Sequence, residues 1–300
     1  MIFAASALIS GAGVSARPPD HFITITWGGN SPEWNRILRL SGVRIGCSDA
    51  PASCVQQVDQ MASSQGVSAV FLAILLNPAN VAANTGTYAN LNASHPSLVE
   101  VGFDDFVSQA EKTHLDPPEL SRLLETVAAN LKAHGSKLHF GATIYEDQLS
   151  SGELDRLQLS DGVRQSIDVI HLFPHYRKER KPVTEYIALA KRDFPNARII
   201  LGNYAYDRRE YLPCSQDSRA RCSSEEEINL FDQNLRENLR IASSGGAAGI
   251  EFFPASFGGE DNWKGWDAPR SCKQGERADC VQNTIAMRAK VKEALANVVP

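Results

Sequence analysis

"HFITITWGGNSPEW" runs from residue 21 to 34. Alternating β-branched residues predict a strand, and Gly28-Gly29 ends it. A strand that opens an α/β chain usually leads into a glycine-rich phosphate loop if the sheet is an open nucleotide-binding one. The glycine spacing for that loop is absent here, and no P-loop occurs elsewhere. The sheet is therefore expected to close.

The rest of the chain repeats the same unit. Strands are expected in 67–77, 97–105, 137–147, 167–176, 197–207 and 247–255, with a weak eighth in "GVRIGC" (42–47). "VSAVFLAILLN" (67–77) is nearly continuous apolar sequence, as a strand covered on both faces requires. Helical patterns fill the gaps. Asp116-Pro117-Pro118-Glu119 is a capping-box start, followed by Leu120, Leu123, Val127 and Leu131. Ser224 and Glu227 open a second helix that carries Ile228, Phe231, Leu235 and Leu239 on one face. A third covers roughly 182–194 and a last one 280–298. Strands alternating with helices predict a parallel sheet, here a (β/α)8 TIM-type barrel with seven clear strands.

Composition bounds the function. With 300 residues, 43% hydrophobic and 22% charged, the chain reads as an ordinary globular protein, and it shows no linker after residue 20. The expected division is a signal-peptide-like segment, 1–16, ending at Val14-Ser15-Ala16, and one barrel domain, 17–300. A net charge of −5 argues against nucleic acid or an anionic membrane as partner. No run is long enough to span a bilayer. Six cysteines form three close pairs: Cys47 with Cys54, Cys214 with Cys222, and Cys272 with Cys280. Their intervals exceed those of structural zinc sites, so disulfides in loops of a secreted or periplasmic protein are expected. No cofactor or metal is expected. The oligomeric state is open.

Barrel strands point alternate residues inward. In "SLVEVGFDD" (97–105), Val99, Val101 and Phe103 are expected to face the helices and Glu100, Gly102 and Asp104 the axis. In "KLHFGATIYED" (137–147), His139, Thr143 and Tyr145 turn inward. In "AAGIEFFPA" (247–255), Gly249, Glu251 and Phe253 do so. Catalytic groups of such barrels gather at the C-terminal strand ends. Asp104, Asp105, Glu146, Asp147, His171, His175, Tyr204, Tyr206, Asp207 and Glu251 all fall at or near those ends.

Two carboxylates across a pocket suit glycoside hydrolysis, one as acid and one as nucleophile or base. Trp27, Tyr145, Tyr176, Tyr204, Tyr206, Trp263 and Trp266 could stack on sugar faces. The chain after residue 20 resembles secreted (β/α)8-barrel glycosidases in layout, with a carboxylate after a middle strand in "TIYED" and a Glu on the last strand in "GIEFFP". That resemblance implies a carbohydrate substrate and catalytic roles for Glu146 and Glu251, with Asp104 third. The proposed substrate-binding set is Trp27, Asp105, His171, His175, Tyr204, Tyr206, Asp207 and Trp263. Two alternatives stay open. "GFDDF" and "HLFPHYR" resemble deacetylase motifs, in which Asp105, His171 and His175 would hold zinc. The barrel could also bind sugar without turnover. The basic run "YRKERK" (176–181) reads as a solvated loop.

Overall fold

The computed structural model describes residues 23–178, 180–207, 222–253 and 279–298. Eight parallel strands close into one barrel in chain order. They are β1 (Ile23–Trp27), β2 (Gly42–Gly46), β3 (Ala69–Ile74), β4 (Leu98–Phe103), β5 (His139–Tyr145), β6 (Val169–Phe173), β7 (Arg198–Tyr204) and β8 (Gly249–Phe253). The stretch 42–47, weak in sequence, supplies a full member of the barrel that pairs with both β1 and β3. Its shortness hides it, because the barrel and not its own periodicity supplies the partners.

The helices follow the strands: α1 (Pro32–Leu38), α2 (Pro51–Gln65), α3 (Val81–Leu91), α4 (Phe106–Lys112), α5 (Pro117–Leu131), α6 (Glu146–Ser151), α7 (Glu153–Arg156), α8 (Asp161–Ser166), α9 (Val183–Asp193), α10 (Ser224–Ser243) and α11 (Asp279–Val298). Asp116 and Glu119 form the expected capping box of α5. The cap of α10 is Ser223, whose hydroxyl accepts from the Glu226 amide at 3.1 Å, one residue earlier than expected. That shift frees Glu227 to turn inward as a buried ion-pair partner.

The main core lies between barrel and helices. Outward strand residues such as Val101, Phe103, Phe140, Ile144, Ile250 and Phe252 pack there against Leu124, Val127, Phe231 and Leu235. The inward residues form three levels. Ile25, Phe71, Val169 and Ile200 close the lower end. Val99, expected among the helices, packs against this lower cluster instead. The register of β3 on β4 shifts between Val70 and Phe71, which upsets simple alternation at the start of β4. Charged residues fill the middle, and aromatic ones crown the C-terminal end.

Two glycines make room for this filling. A side chain at Gly141 would collide with the Glu100 carboxylate, and one at Gly202 with the Phe173 ring.

A disulfide joins Cys47 to Cys54 with Cα atoms 5.8 Å apart. Cys222 and Cys280 are disulfide-bonded as well. Their expected partners, Cys214 and Cys272, lie outside the described residues, as does the segment 1–16. Not all these cysteines sit in loops: Cys54 lies in the first turn of α2, and Cys280 lies in α11. Among the described residues no helix is long and apolar enough to cross a membrane.

Candidate active site

The middle level is a buried charge network. Glu251 on β8 is fully buried. One carboxylate oxygen meets Nδ1 of His171 on β6, and the other lies 3.5 Å from Nη1 of Arg44 on β2. Nε2 of His171 is 2.9 Å from a Glu100 oxygen on β4. Two carboxylates, one guanidinium and one imidazole thus meet inside the barrel. Pairing of this kind is what lets a closed barrel hold a carboxylate at all.

The titration of these groups follows from the pairing. Burial and Arg44 both disfavour a charged His171, but Glu100 and Glu251 outweigh them and its pKa is raised. Burial alone would raise the Glu251 pKa, yet His171 and Arg44 bring it below its usual value. Arg44 is likewise kept cationic: Glu251, Asp104 and Glu100 overcome its burial.

Asp104 lies two inward positions above Glu100, just past the C-terminal end of β4, and is partly exposed. Its pKa is raised, first by burial and then by Asp105 and Glu251, against the pull of Arg44 and Thr143. Asp105 is exposed and adopts left-handed backbone, φ 45°, a conformation that a non-glycine residue takes at some cost. The Tyr145 hydroxyl donates to its Oδ1 at 2.5 Å, and the Tyr204 hydroxyl donates to Tyr145 at 3.3 Å. Burial, Tyr204 and Asp105 hold the Tyr145 hydroxyl well above the usual tyrosine pKa.

Aromatic rings wall the rest of the mouth. Phe173, Tyr204 and Tyr206 cluster with Tyr145 and Phe253. Trp27 meets Phe253 edge-on at 5.6 Å. His175 stacks on Tyr145 at 4.9 Å, and its Nδ1 is 2.8 Å from an Asp147 oxygen.

The other expected site residues lie in different surroundings. Glu146 opens α6, is buried, and is held in a two-point ion pair with Arg180. Asp207 is fully buried. It accepts from Nδ2 of Asn283 at 2.8 Å, and its amide donates to Thr284 at 3.1 Å, so it anchors α11. Asp105, His171 and His175 do not converge on a zinc site. Both ring nitrogens of His171 are committed to carboxylates, and Asp105 faces Tyr145. Among the described residues no group of three or more His, Cys, Asp or Glu side chains is arranged to hold a metal ion.

The basic run at 176–181 is not simply solvated. Arg177 is buried against Glu227 at 2.8 Å and donates to the Tyr204 carbonyl at 2.9 Å. Lys178 pairs with Glu226 at 2.9 Å, and Arg180 takes Glu146. Trp263 and Trp266 lie outside the described residues. Arg44 and Phe173 are missing from the sequence-derived site. Strict alternation along Gly42-Val43-Arg44-Ile45-Gly46 is the signal that turns Arg44 inward.

No family model matches the sequence, and no curated protein matches it. Solved structures do share its shape. An exo-β-1,4-mannosidase, Op5Man5, from Opitutaceae bacterium strain TAV5 is 11% identical with a TM-score of 0.54, over 94% of this chain and 63% of that one. A GH18 chitinase from Pseudoalteromonas aurantia is 14% identical over 78% of this chain and 94% of that one, TM-score 0.47. An oxaloacetate acetylhydrolase is 14% identical over 79% of this chain and 75% of that one, TM-score 0.41. This chain spans less than two thirds of the mannosidase. At 11% identity the likeness to the mannosidase bears on the fold alone, and it agrees with the closed eight-stranded sheet: the chain is a (β/α)8 barrel.

Proposed function

We propose that the protein is a secreted glycoside hydrolase with Asp104 as its proton donor. The observation that carries this reading is the contrast between two acids in one barrel: Asp104 is half-buried at the mouth, and Glu251 is fully buried between Arg44 and His171. Asp104 is pushed toward its neutral form at the mouth, while Glu251 beneath it is kept ionised. Acids whose environments separate their pKa values divide the roles of donor and charged partner. Asp104 gives its proton to the leaving glycosidic oxygen. Glu251 stays ionised between Arg44 and His171 and so holds the Arg44 guanidinium in place beneath the mouth. Asp105, exposed and oriented by the Tyr145 hydroxyl, takes the proton of the attacking water. Glu146, ion-paired to Arg180, has the weaker claim to a catalytic role and serves to anchor the segment after β6. The aromatic wall supplies the stacking surface for the sugar. The Cys47–Cys54 disulfide agrees with an oxidising compartment. The fold shared with a mannosidase agrees with the reading without carrying it.

The test is Asp104→Asn on two substrate types, after a polysaccharide panel has found a substrate. On an unactivated oligosaccharide turnover should fall by about 10²–10⁴. On the matching nitrophenyl glycoside, whose leaving group needs no proton, it should fall far less. Equal losses on both would remove Asp104 as the acid.

One observation favours a second reading, a barrel that binds sugar without cleaving it. Glu146 and Glu251 both sit in buried ion pairs, as structural carboxylates do. Calorimetric binding of an oligosaccharide that is never hydrolysed would decide for it.

A further inference from the structure

The barrel mouth is lopsided. Aromatic rings rise from β5, β6, β7, β8 and β1, while the inward positions at the ends of β2, β3 and β4 are Gly46, Ala73 and Gly102. Gly46 is exposed although it continues the inward row of Gly42 and Arg44. A Cβ placed on it would meet only the Trp27 ring edge, at 3.8 Å. Among the described residues, the small side of the mouth is therefore open beside Gly46.

Small residues alone only make space. What marks this space is Arg44. Its side chain is fully buried, yet its Nε and Nη2 have no hydrogen-bond partner among the described residues. Its guanidinium lies 4.8 Å from the centre of the same Trp27 ring that borders Gly46. Buried donors of a charged group are rarely left unmatched. On the network below, the second oxygen of Glu100 is also buried without a partner among the described residues. The unfilled set thus contains donors and an acceptor together. A sugar hydroxyl, which both accepts and donates, matches such a set. A carboxylate matches only the donors, and it would face Glu100, Glu251 and Asp104 at once.

We propose that the deepest sugar ring binds on the β1–β4 side of the mouth, stacked on Trp27 over Gly46, with neighbouring ring hydroxyls on the free edge of Arg44, and that the protein therefore selects neutral over acidic sugars. The inference rests on the carbohydrate reading above and adds the place and the charge class of the ring. It puts the glycosidic oxygen of that ring toward Asp104, the acid on the same side. Gly46 sets the clearance between ring and barrel.

The test is isothermal titration calorimetry of the full chain with cellotetraose, mannotetraose, xylotetraose and tetragalacturonate. Wild type should bind at least one of the three neutral probes and show no heat with tetragalacturonate. Gly46→Leu should weaken the neutral probe at least tenfold while its melting temperature stays within a few degrees, since the backbone there is not left-handed. Arg44→Lys keeps the charge but loses the planar edge and should weaken it comparably. Neutral binding untouched by both substitutions would overturn the placement and leave the carbohydrate reading standing. Preference for tetragalacturonate would overturn the charge class. Binding of none of the four, with no turnover on a wider polysaccharide panel, would overturn the carbohydrate reading and this inference with it.

Discussion

Glu251 is an acid in the middle of an apolar strand, and its tolerance there is explained by two cations from other strands. Breaking such a pair leaves an uncompensated charge in a closed space. Glu251→Gln should therefore lower stability by about 3–5 kcal/mol, read as a urea-midpoint shift at unchanged slope. The pairing also sets a pH window. His171 titrates above its ordinary 6.5, so its contribution is full below pH 6.5 and is lost as pH rises through the raised value. Glu251 titrates below its ordinary 4.5, so its contribution is full above pH 4.5 and is lost as pH falls through the lowered value. Stability from this network should peak between about pH 4.5 and 6.5 and weaken on both sides. In His171→Gln the alkaline decline should flatten; melting temperatures across pH 4–9 would show it. An unchanged alkaline slope would mean that the imidazole is neutral in the barrel.

At the scale of elements, the segment between β6 and α9 is held by charge rather than by periodicity. Arg177, Lys178 and Arg180 each reach a glutamate on another element: Glu227 and Glu226 on α10, and Glu146 on α6. Arg180→Met should leave Glu146 buried and unpaired, at a cost of about 3 kcal/mol. Amide exchange in residues 174–182 should quicken more than in the barrel strands. Sequence reading of this scale succeeded where alternation was clean. Along β5, Phe140, Ala142 and Ile144 turn outward while Thr143 and Tyr145 turn inward, as the pattern dictates. It failed at Val99 because a register shift on a neighbouring strand has no signature in β4 itself. It also failed for "YRKERK", since the acids that neutralise those cations are about 34 to 50 residues away in the chain. The helical boundaries were legible because capping is local chemistry, and the one-residue slip at α10 came from two adjacent serines.

At the scale of the molecule, the barrel closes in chain order and stacks an apolar floor, a charged middle and an aromatic mouth. Spacing along the sequence revealed that acids reach the interior. It could not reveal which acid is exposed and which is caged, because that depends on cations from other strands: Arg44 and His171 cage Glu251, and Arg180 takes Glu146. The short disulfide is a separate contribution. Replacing Cys47 and Cys54 with serine should cost about 2 kcal/mol, since a bond closing so short a loop removes little unfolded-state entropy. That loss should appear as a lower melting temperature with the catalytic rate unchanged at 25 °C.

The most direct test of the division between an acid of raised pKa above and an ionised Glu251 below is the pH profile of kcat/KM for wild type and Asp104→Asn. Wild type should lose activity on an alkaline limb set by ionisation of Asp104, at a pKa above the ordinary 3.8. Asp104→Asn, assayed on the same unactivated oligosaccharide as wild type, should lack that limb. The same alkaline limb at the same pH in the variant would contradict the account.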